Sequence, residues 1–450
     1  MDKWGVIIYF IFIGVLLFIG KILKTKLPFL NRIVLPTALL GGLIGLLFSS
    51  VVIPGSYTID VKVMETIVYH ALALGFISLA LKQGESKNKR KAWSTGMVIT
   101  STYALQGFIG VLLVLLFFSD KFVGAGMLLA LGFGQGPGLA MSFGSMWNEM
   151  LGGHGVALGA SYAFLGFVVG GTVGVLAINI LACKRGVDKP KQYEDSSLNK
   201  TTIEIDTVKE VSVLDGLTIQ LVIISIIYGL VWLTLFVFDK LLSGLGAIGG
   251  TIFGLMQGFN FIIGIAYALL YKAILKKIKS KGKNVNFMMN DYILSNFSST
   301  CFNFMIAGAV LTITLDFLVE SWLLLTVISV IGGVVTLFYV RFITKKVYKL
   351  FTDEYFVGLF GMLCGVASTG IALLKGLDRD LESPVAEDMV MGSGTAIMMA
   401  LPLFGFLMLP SIGYGQPYAG ILDYVTLFGC LAYVVVMVVI LVVRSKRVPT

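Results

Sequence analysis

The sequence predicts an all-α polytopic membrane protein: an inverted repeat of two five-helix halves, each with a re-entrant loop, plus one extra C-terminal helix. Three observations predict it. Of the 450 residues, 57% are apolar and 13% charged, where an average soluble protein carries about 25% charged residues; mean hydropathy is +0.92. Apolar runs long enough to cross ~30 Å of hydrocarbon at 1.5 Å per residue recur along the whole chain. Counting those runs as crossings puts thirty of the 34 Lys and Arg residues on one side, as cytoplasmic loops require. A soluble domain, a disordered chain and a nucleic-acid binder are excluded, despite a net charge of +9. Cys183, Cys301, Cys364 and Cys430 stand too far apart to suggest a disulfide framework or a zinc site.

Eleven runs qualify as spans: 4–20, 33–53, 63–81, 93–118, 154–183, 213–238, 245–271, 290–316, 321–343, 388–410 and 420–443. The first has no small-residue cleavage site and runs into Lys21–Lys26, so it reads as a retained span and not a signal peptide. Two further stretches, 122–145 and 355–374, are Gly-rich and interrupted. If 122–145 crossed fully, the basic residues after 184 would move outside, so both stretches are expected to enter and leave on one side. The N-terminus is then outside and the C-terminus cytoplasmic, in a bacterial cytoplasmic membrane. Residues 1–183 form the first repeat, 184–212 a charged cytoplasmic linker, 213–410 the second repeat, and 411–450 an extra transmembrane helix and tail. An odd number of crossings per half inverts the second half, so the two loops enter from opposite faces. Inverted repeats with paired broken segments point to a secondary transporter with a midplane site.

Non-helical backbone survives at membrane depth only inside protein or beside a water-filled cavity. The loops are therefore the expected substrate site: Gly134, Gln135, Gly136, Pro137 and Gly138 from the first, and Ser368, Thr369 and Gly370 from the second. Glycines let the backbone approach a ligand and Pro137 stops a helix. Broken helix ends offer carbonyls to a cation and N–H groups to an anion. Polar residues inside spans are costly and face the bundle interior. Gln106, Asn296, Ser299 and Asn303 are candidate oxygen ligands for a coupling Na⁺, with interhelical hydrogen bonding as the alternative role. His70 is a candidate proton relay or substrate contact as well as a structural group, and His154 reads as structural. Glu387 and Asp388 read as a gate or as helix N-terminal charges. Gly166, Gly170 and Gly174, spaced by four, read as a helix-packing stripe. No catalytic residues, cofactor or metal beyond Na⁺ are expected: the spans hold no paired acids, metal cluster or nucleophile–base pair of the kind a membrane enzyme needs. A passive channel is the other competing reading.

Asn31–Phe48 (NRIVLPTALLGGLIGLLF), Leu105–Gly110 (LQGFIG), Gly153–Gly174 (GHGVALGASYAFLGFVVGGTVG) and the block 355–410 resemble the bacterial sodium/glutamate symporter family. The similarity covers nearly all of 1–410 in order and hydropathy. It implies ten core helices in an inverted repeat, two re-entrant loops, a homodimer, elevator-like alternating access and Na⁺-driven uptake of glutamate. The chain departs from the family in both loops. Gly134–Gly138 replaces a Gly-Gly-His-Gly-Thr-Gly run, and Ala367, Ser368 and Thr369 replace Thr-Pro-Thr. Glutamate, another small amino acid and a dicarboxylate, with sodium or proton coupling, are the alternatives this leaves.

Overall fold

The computed structural model describes residues 5–27, 36–48, 60–82, 89–184, 216–245, 249, 253, 256–258, 260–282, 288–378, 381 and 383–447. Among these residues the fold is helical, without strands. Eight helices are long and apolar enough to cross a membrane, and nine if one bent pair counts as a single span. The protein is a membrane-embedded helical bundle.

The first half holds α1 (Gly5–Lys26), α2 (Thr37–Leu47), α3 (Val61–Leu81) and α4 (Lys89–Phe117). A broken segment follows: α5 (Gly124–Leu129), a π-helical turn (Ala130–Gln135), then α6 (Pro137–Met146). Helix α7 (Gly155–Lys184) completes the half. The second half holds α8 (Gly216–Leu242), α9 (Asn260–Ser280), α10 (Asp291–Leu311) and α11 (Leu315–Val347). Its broken segment is α12 (Thr352–Leu363) and α13 (Ala367–Leu374), and α14 (Val385–Met399), α15 (Leu401–Gly413) and α16 (Ala419–Arg447) end the described chain.

Two of the eleven expected spans differ from this, and a third is described only in part. Of the run 33–53, α2 and Phe48 are described; residues 28–35 and 49–59 lie outside the described chain. In the run 245–271 the described residues 249, 253 and 256–258 are helical, and α9 carries the helix from Asn260 on to Ser280, past the end of the expected span. Lys272, Lys276, Lys277 and Lys279 occupy its second half. Lys, Leu and Ala are good helix formers, so the helix outlasts the apolar window that hydropathy detects. The run 388–410 is a helix bent by 50° between Met399 and Leu401, where Pro402 in the first turn of α15 has no N–H to donate. The expected linker 184–212 lies outside the described residues beyond Lys184.

Helix bounds along 60–184 recur along 290–414 to within a few residues at an offset of 230, which is also the separation of the hydrogen-bonded pair Gln106 and Thr336. Helices α3 and α10 each have 21 residues. Their N-caps match: Asp60 accepts from the N–H of Lys62 and Val63, and Asn290 from Tyr292 and Ile293. Such caps satisfy orphan donors of the first turn. Gly136 and Val366 precede α6 and α13 at the same offset, and α7 and α14 begin at Gly155 and Val385. Packing is reciprocal too. Helix α2 lies on α10 while α9 lies on α3, and α1 touches α10 while α8 touches α3.

The helices pack in two groups. Helices α1–α3 and α8–α10 form one; α4–α7 and α11–α16 form the other. They join mainly where α6 and α7 meet α3 and α10. Helix α16, outside the repeat, lies along α4 and α15. Its Thr426 hydroxyl donates to the Phe406 carbonyl at 3.2 Å, and its Tyr433 hydroxyl donates to the Met399 carbonyl.

Candidate functional site

Both broken segments are helical hairpins. In the first, the rings of Phe122 and Trp147, at the two ends of the segment, lie 5.7 Å apart, and the tip is at Gly136. In the second, the glycines of α12 and α13 meet: a Cβ on Gly370 would lie 2.4 Å from the Gly358 carbonyl oxygen. Its tip is Cys364–Val366.

The tips touch. Gly136 has φ +84°, a conformation that favours glycine. A Cβ there would sit 2.9 Å from the Val366 side chain and 3.9 Å from the Gly365 carbonyl oxygen. Helices α6 and α13 both start at this junction. The first turn of each leaves backbone N–H groups without intrahelical partners, the positive end of the helix dipole. Gln106 of α4 lies alongside. Its Nε2 donates to the Thr336 hydroxyl at 3.1 Å and to the Leu363 carbonyl at 2.9 Å. Its Oε1 is buried without a partner and lies 2.9 Å from where a Cβ on Gly134 would be. Gln135 adds a buried, unpartnered Nε2. An orphan acceptor and an orphan donor at one junction cost about 1–3 kcal/mol each unless something binds them. The arrangement can therefore take a small group that both accepts and coordinates: an anion at the helix starts, a hard cation at the oxygens.

The expected site residues divide accordingly. Gly134, Gln135, Gly136 and Pro137 form the first tip. Gly138 sits one step behind it, against Leu72 and Met305. Ser368 lies in the first turn of α13. Thr369 is buried, its hydroxyl 3.1 Å from the position of a Cβ on Gly365. Gly370 serves packing within the hairpin, against Gly358 and Met389. Of the proposed ion ligands only Gln106 is at the tips. Asn296, Ser299 and Asn303 are exposed on α10, which packs on α1–α3 and α6–α8 and not on α4. The reason is helical phase. Ser298, Cys301 and Met305 take the buried face of α10, which turns 296, 299 and 303 outward.

The remaining candidates have local roles. His70 Nδ1 hydrogen-bonds the Tyr228 hydroxyl at 2.6 Å. His154 stacks obliquely on Phe317 at 5.3 Å. Asp388 is buried and accepts from the Tyr355 hydroxyl, while Glu387 is exposed. The glycine stripe of α7 is the seat of the second hairpin: Gly166 and Gly170 face Cys364, and Gly174 faces Leu373. Thr336 and Tyr103, whose ring lies against Gly134, are site residues that sequence reasoning missed. The 230-residue offset was the signal that would have paired Thr336 with Gln106. Compared with family models, curated proteins and solved structures, the chain matches none.

Proposed function

We propose that this protein is a secondary transporter, a sodium-coupled symporter that imports glutamate or a related small amino acid or carboxylate by alternating access. The observation that carries the reading is the meeting of two hairpin tips, Gly136 against Val366, beside the unpartnered amide oxygen of Gln106. Two helix starts at one point suit a carboxylate without any Lys or Arg. The inverted repeat is part of the proposal, supported by the helix bounds that recur between 60–184 and 290–414 and by the reciprocal packing of α2 on α10 and α9 on α3. With the halves inverted, the hairpins enter from opposite faces. The second group of helices, which carries both hairpins, then moves against the first during alternating access, and the protein works as a homodimer in a bacterial cytoplasmic membrane.

The oxygen donors at the tips fit Na⁺, a hard cation that takes carbonyl and hydroxyl oxygens. Gln106 Oε1, the oxygen left without a partner, is the group that would hold it. Uptake of labelled glutamate into proteoliposomes, with and without a Na⁺ gradient, tests the reading. Concentrative, Na⁺-dependent uptake is expected. Loss of the Thr369 hydroxyl in Thr369→Val removes a polar contact of ~1–3 kcal/mol and should weaken substrate or Na⁺ affinity roughly five- to a hundred-fold. Undiminished uptake without Na⁺, abolished by a protonophore and by His70→Gln, would replace sodium coupling by proton coupling. Downhill flux without counterflow would make the protein a channel.

A further inference from the structure

Gln106 stands on α4 beside the end of α12, and its amide carries two roles that conflict. Backbone donors take the neighbouring carbonyls: the Cys364 N–H donates to Phe360 and the Gly365 N–H to Met362, at 3.0 and 3.3 Å. The Leu363 carbonyl is instead held from outside the hairpin, by Gln106 Nε2 at 2.9 Å. Carbonyls at a helix end lack intrahelical partners, so Gln106 caps α12 from another helix. Its second Nε2 hydrogen goes to the Thr336 hydroxyl at 3.1 Å. The amide cannot turn over, because Oε1 would then face the Leu363 carbonyl oxygen, acceptor against acceptor. Capping Leu363 therefore fixes Oε1 where it is, buried and without a partner. An empty Oε1 favours a rotated side chain that reaches water and drops Leu363; a filled one favours the cap. What the cap holds is the second tip. Cys364, next in the chain, is fully buried against α7. A Cβ on Gly166 would lie 2.7 Å from its carbonyl oxygen, and one on Gly170 would lie 3.3 Å from its Cβ.

We propose that Gln106 is a positioning residue that senses its own occupancy: a ligand on Oε1 keeps the second tip seated on α7, and an empty Oε1 lets it lift. The inference rests on the reading of the hairpin tips as the substrate and ion site, and adds the regulation of one of them. On that reading the ligand is Na⁺; a hydrogen-bond donor of the substrate offers an amide oxygen the same relief. Whatever binds Oε1 more tightly with the tip seated shifts the tip toward its seat by the same factor. The device is one-sided. Thr336, at the position matching Gln106 in the second half, makes no hydrogen bond to the first hairpin among the described residues.

Timed N-ethylmaleimide labelling of the full chain in detergent tests it. Cys364 is the native reporter, and peptide mass spectrometry separates it from Cys183, Cys301 and Cys430. The solutions are choline chloride, NaCl, and choline chloride with L-glutamate. In the parent, NaCl should slow Cys364 about tenfold and leave Cys430, also buried, within about twofold. Gln106→Met keeps the length of the side chain without its amide, and should label Cys364 at one fast rate in every solution. Thr336→Val removes the second acceptor of Nε2 and should cut the slowing to about threefold; it carries the test if Gln106→Met shows no cooperative thermal midpoint. Slowing by glutamate alone, lost in Gln106→Met, keeps the switch and gives Oε1 to the substrate in place of Na⁺. A parent in which neither ligand slows Cys364, or full slowing in the variants that fold, overturns the proposal. The two readings fail separately. Na⁺-dependent uptake with a Cys364 response untouched by Gln106→Met leaves the transporter standing and removes the switch. A Cys364 response that Gln106→Met abolishes, with no uptake by the parent, leaves the switch standing and removes transport.

Discussion

The two hairpins occupy equivalent places 230 residues apart and are fastened by different chemistry. The first is held by backbone against backbone. A Cβ on Gly110 of α4 would lie 1.9 Å from the Gly126 carbonyl oxygen of α5, and one on Gly144 of α6 would lie 2.1 Å from that of Gly155 on α7. The second has such contacts too, Gly370 on Gly358 and Gly166 on Cys364, and adds side-chain links. Tyr355 of α12 donates to Asp388 of α14 and stacks on Tyr348 with ring centroids 3.6 Å apart. Tyr348 in turn hydrogen-bonds Thr95 of α4 at 2.8 Å. Arg341 pairs with Asp353 at 2.6 Å and covers the Phe356 ring. The positions matching Tyr355 and Asp388 in the first half are Ala125 and Leu158, both buried. One backbone plan is thus secured chiefly by small residues at the first hairpin, the membrane mode of close helix contact, and by small residues together with polar links at the second.

The sharpest way to break this contrast is to enlarge the glycines. Gly110→Val or Gly144→Val should cost about 3 kcal/mol or more, as overpacking at a rigid contact does, and abolish monodisperse protein on size exclusion. Gly405→Val, with nothing within 4 Å of its added Cβ, is the control that should purify normally. Next come the equivalent tip positions. Gly136→Val forces a side chain into positive φ and into Val366, a strain of about 1–3 kcal/mol, and should lower uptake by roughly tenfold or more with the protein still folded. Val366→Gly, where the backbone is extended at φ −139°, should retain uptake within a few-fold. Equal effects at both positions would erase the distinction between the tips. Tyr355→Phe removes one hydroxyl from the buried polar link and should lower thermal stability in detergent by about 1–2 kcal/mol. Smallest of all, Arg341→Met should cost about 0.5–1 kcal/mol, because the pair is a quarter exposed (29% and 24%) and such pairs are largely screened. A larger loss from Arg341→Met than from Tyr355→Phe would place the anchor of the second hairpin at its ion pair.

Legibility in the sequence followed the kind of signal each element carries. The broken segments were readable because Gly134–Gly138 and Gly365–Gly370 interrupt apolar runs with glycine, proline and small polar residues, the local punctuation of turns. Gln106 was readable as a lone amide in an apolar run. Asn296, Ser299 and Asn303 carried the same signal and sit on the exposed face, because polarity marks a residue as unusual without giving its angle around the helix. Thr336 gave no signal, since a threonine in a span commonly bonds its own backbone. The end of the run 245–271 was blurred for another reason: hydropathy reports apolar length, and the lysine-bearing α9 continues to Ser280 beyond its apolar part. The 230-residue offset leaves no mark in residue identity, since matching positions hold unlike residues, Gln106 with Thr336 and Gly136 with Val366.

Helix α16 bears on how the bent segment is held. Pro410 lies four residues after Phe406 and cannot donate to its carbonyl, and the Met399 carbonyl sits at the bend before Leu401. Both carbonyls are satisfied by hydroxyls of α16, Thr426 and Tyr433. In hydrocarbon each would otherwise cost several kcal/mol. The bent segment 385–413 thus depends on a helix that follows it in the chain for two of its hydrogen bonds. A chain cut back before Ala419 would leave both carbonyls open to water or to a bend that straightens, so the C-terminal helix acts as a brace on the break and not as a mere appendage.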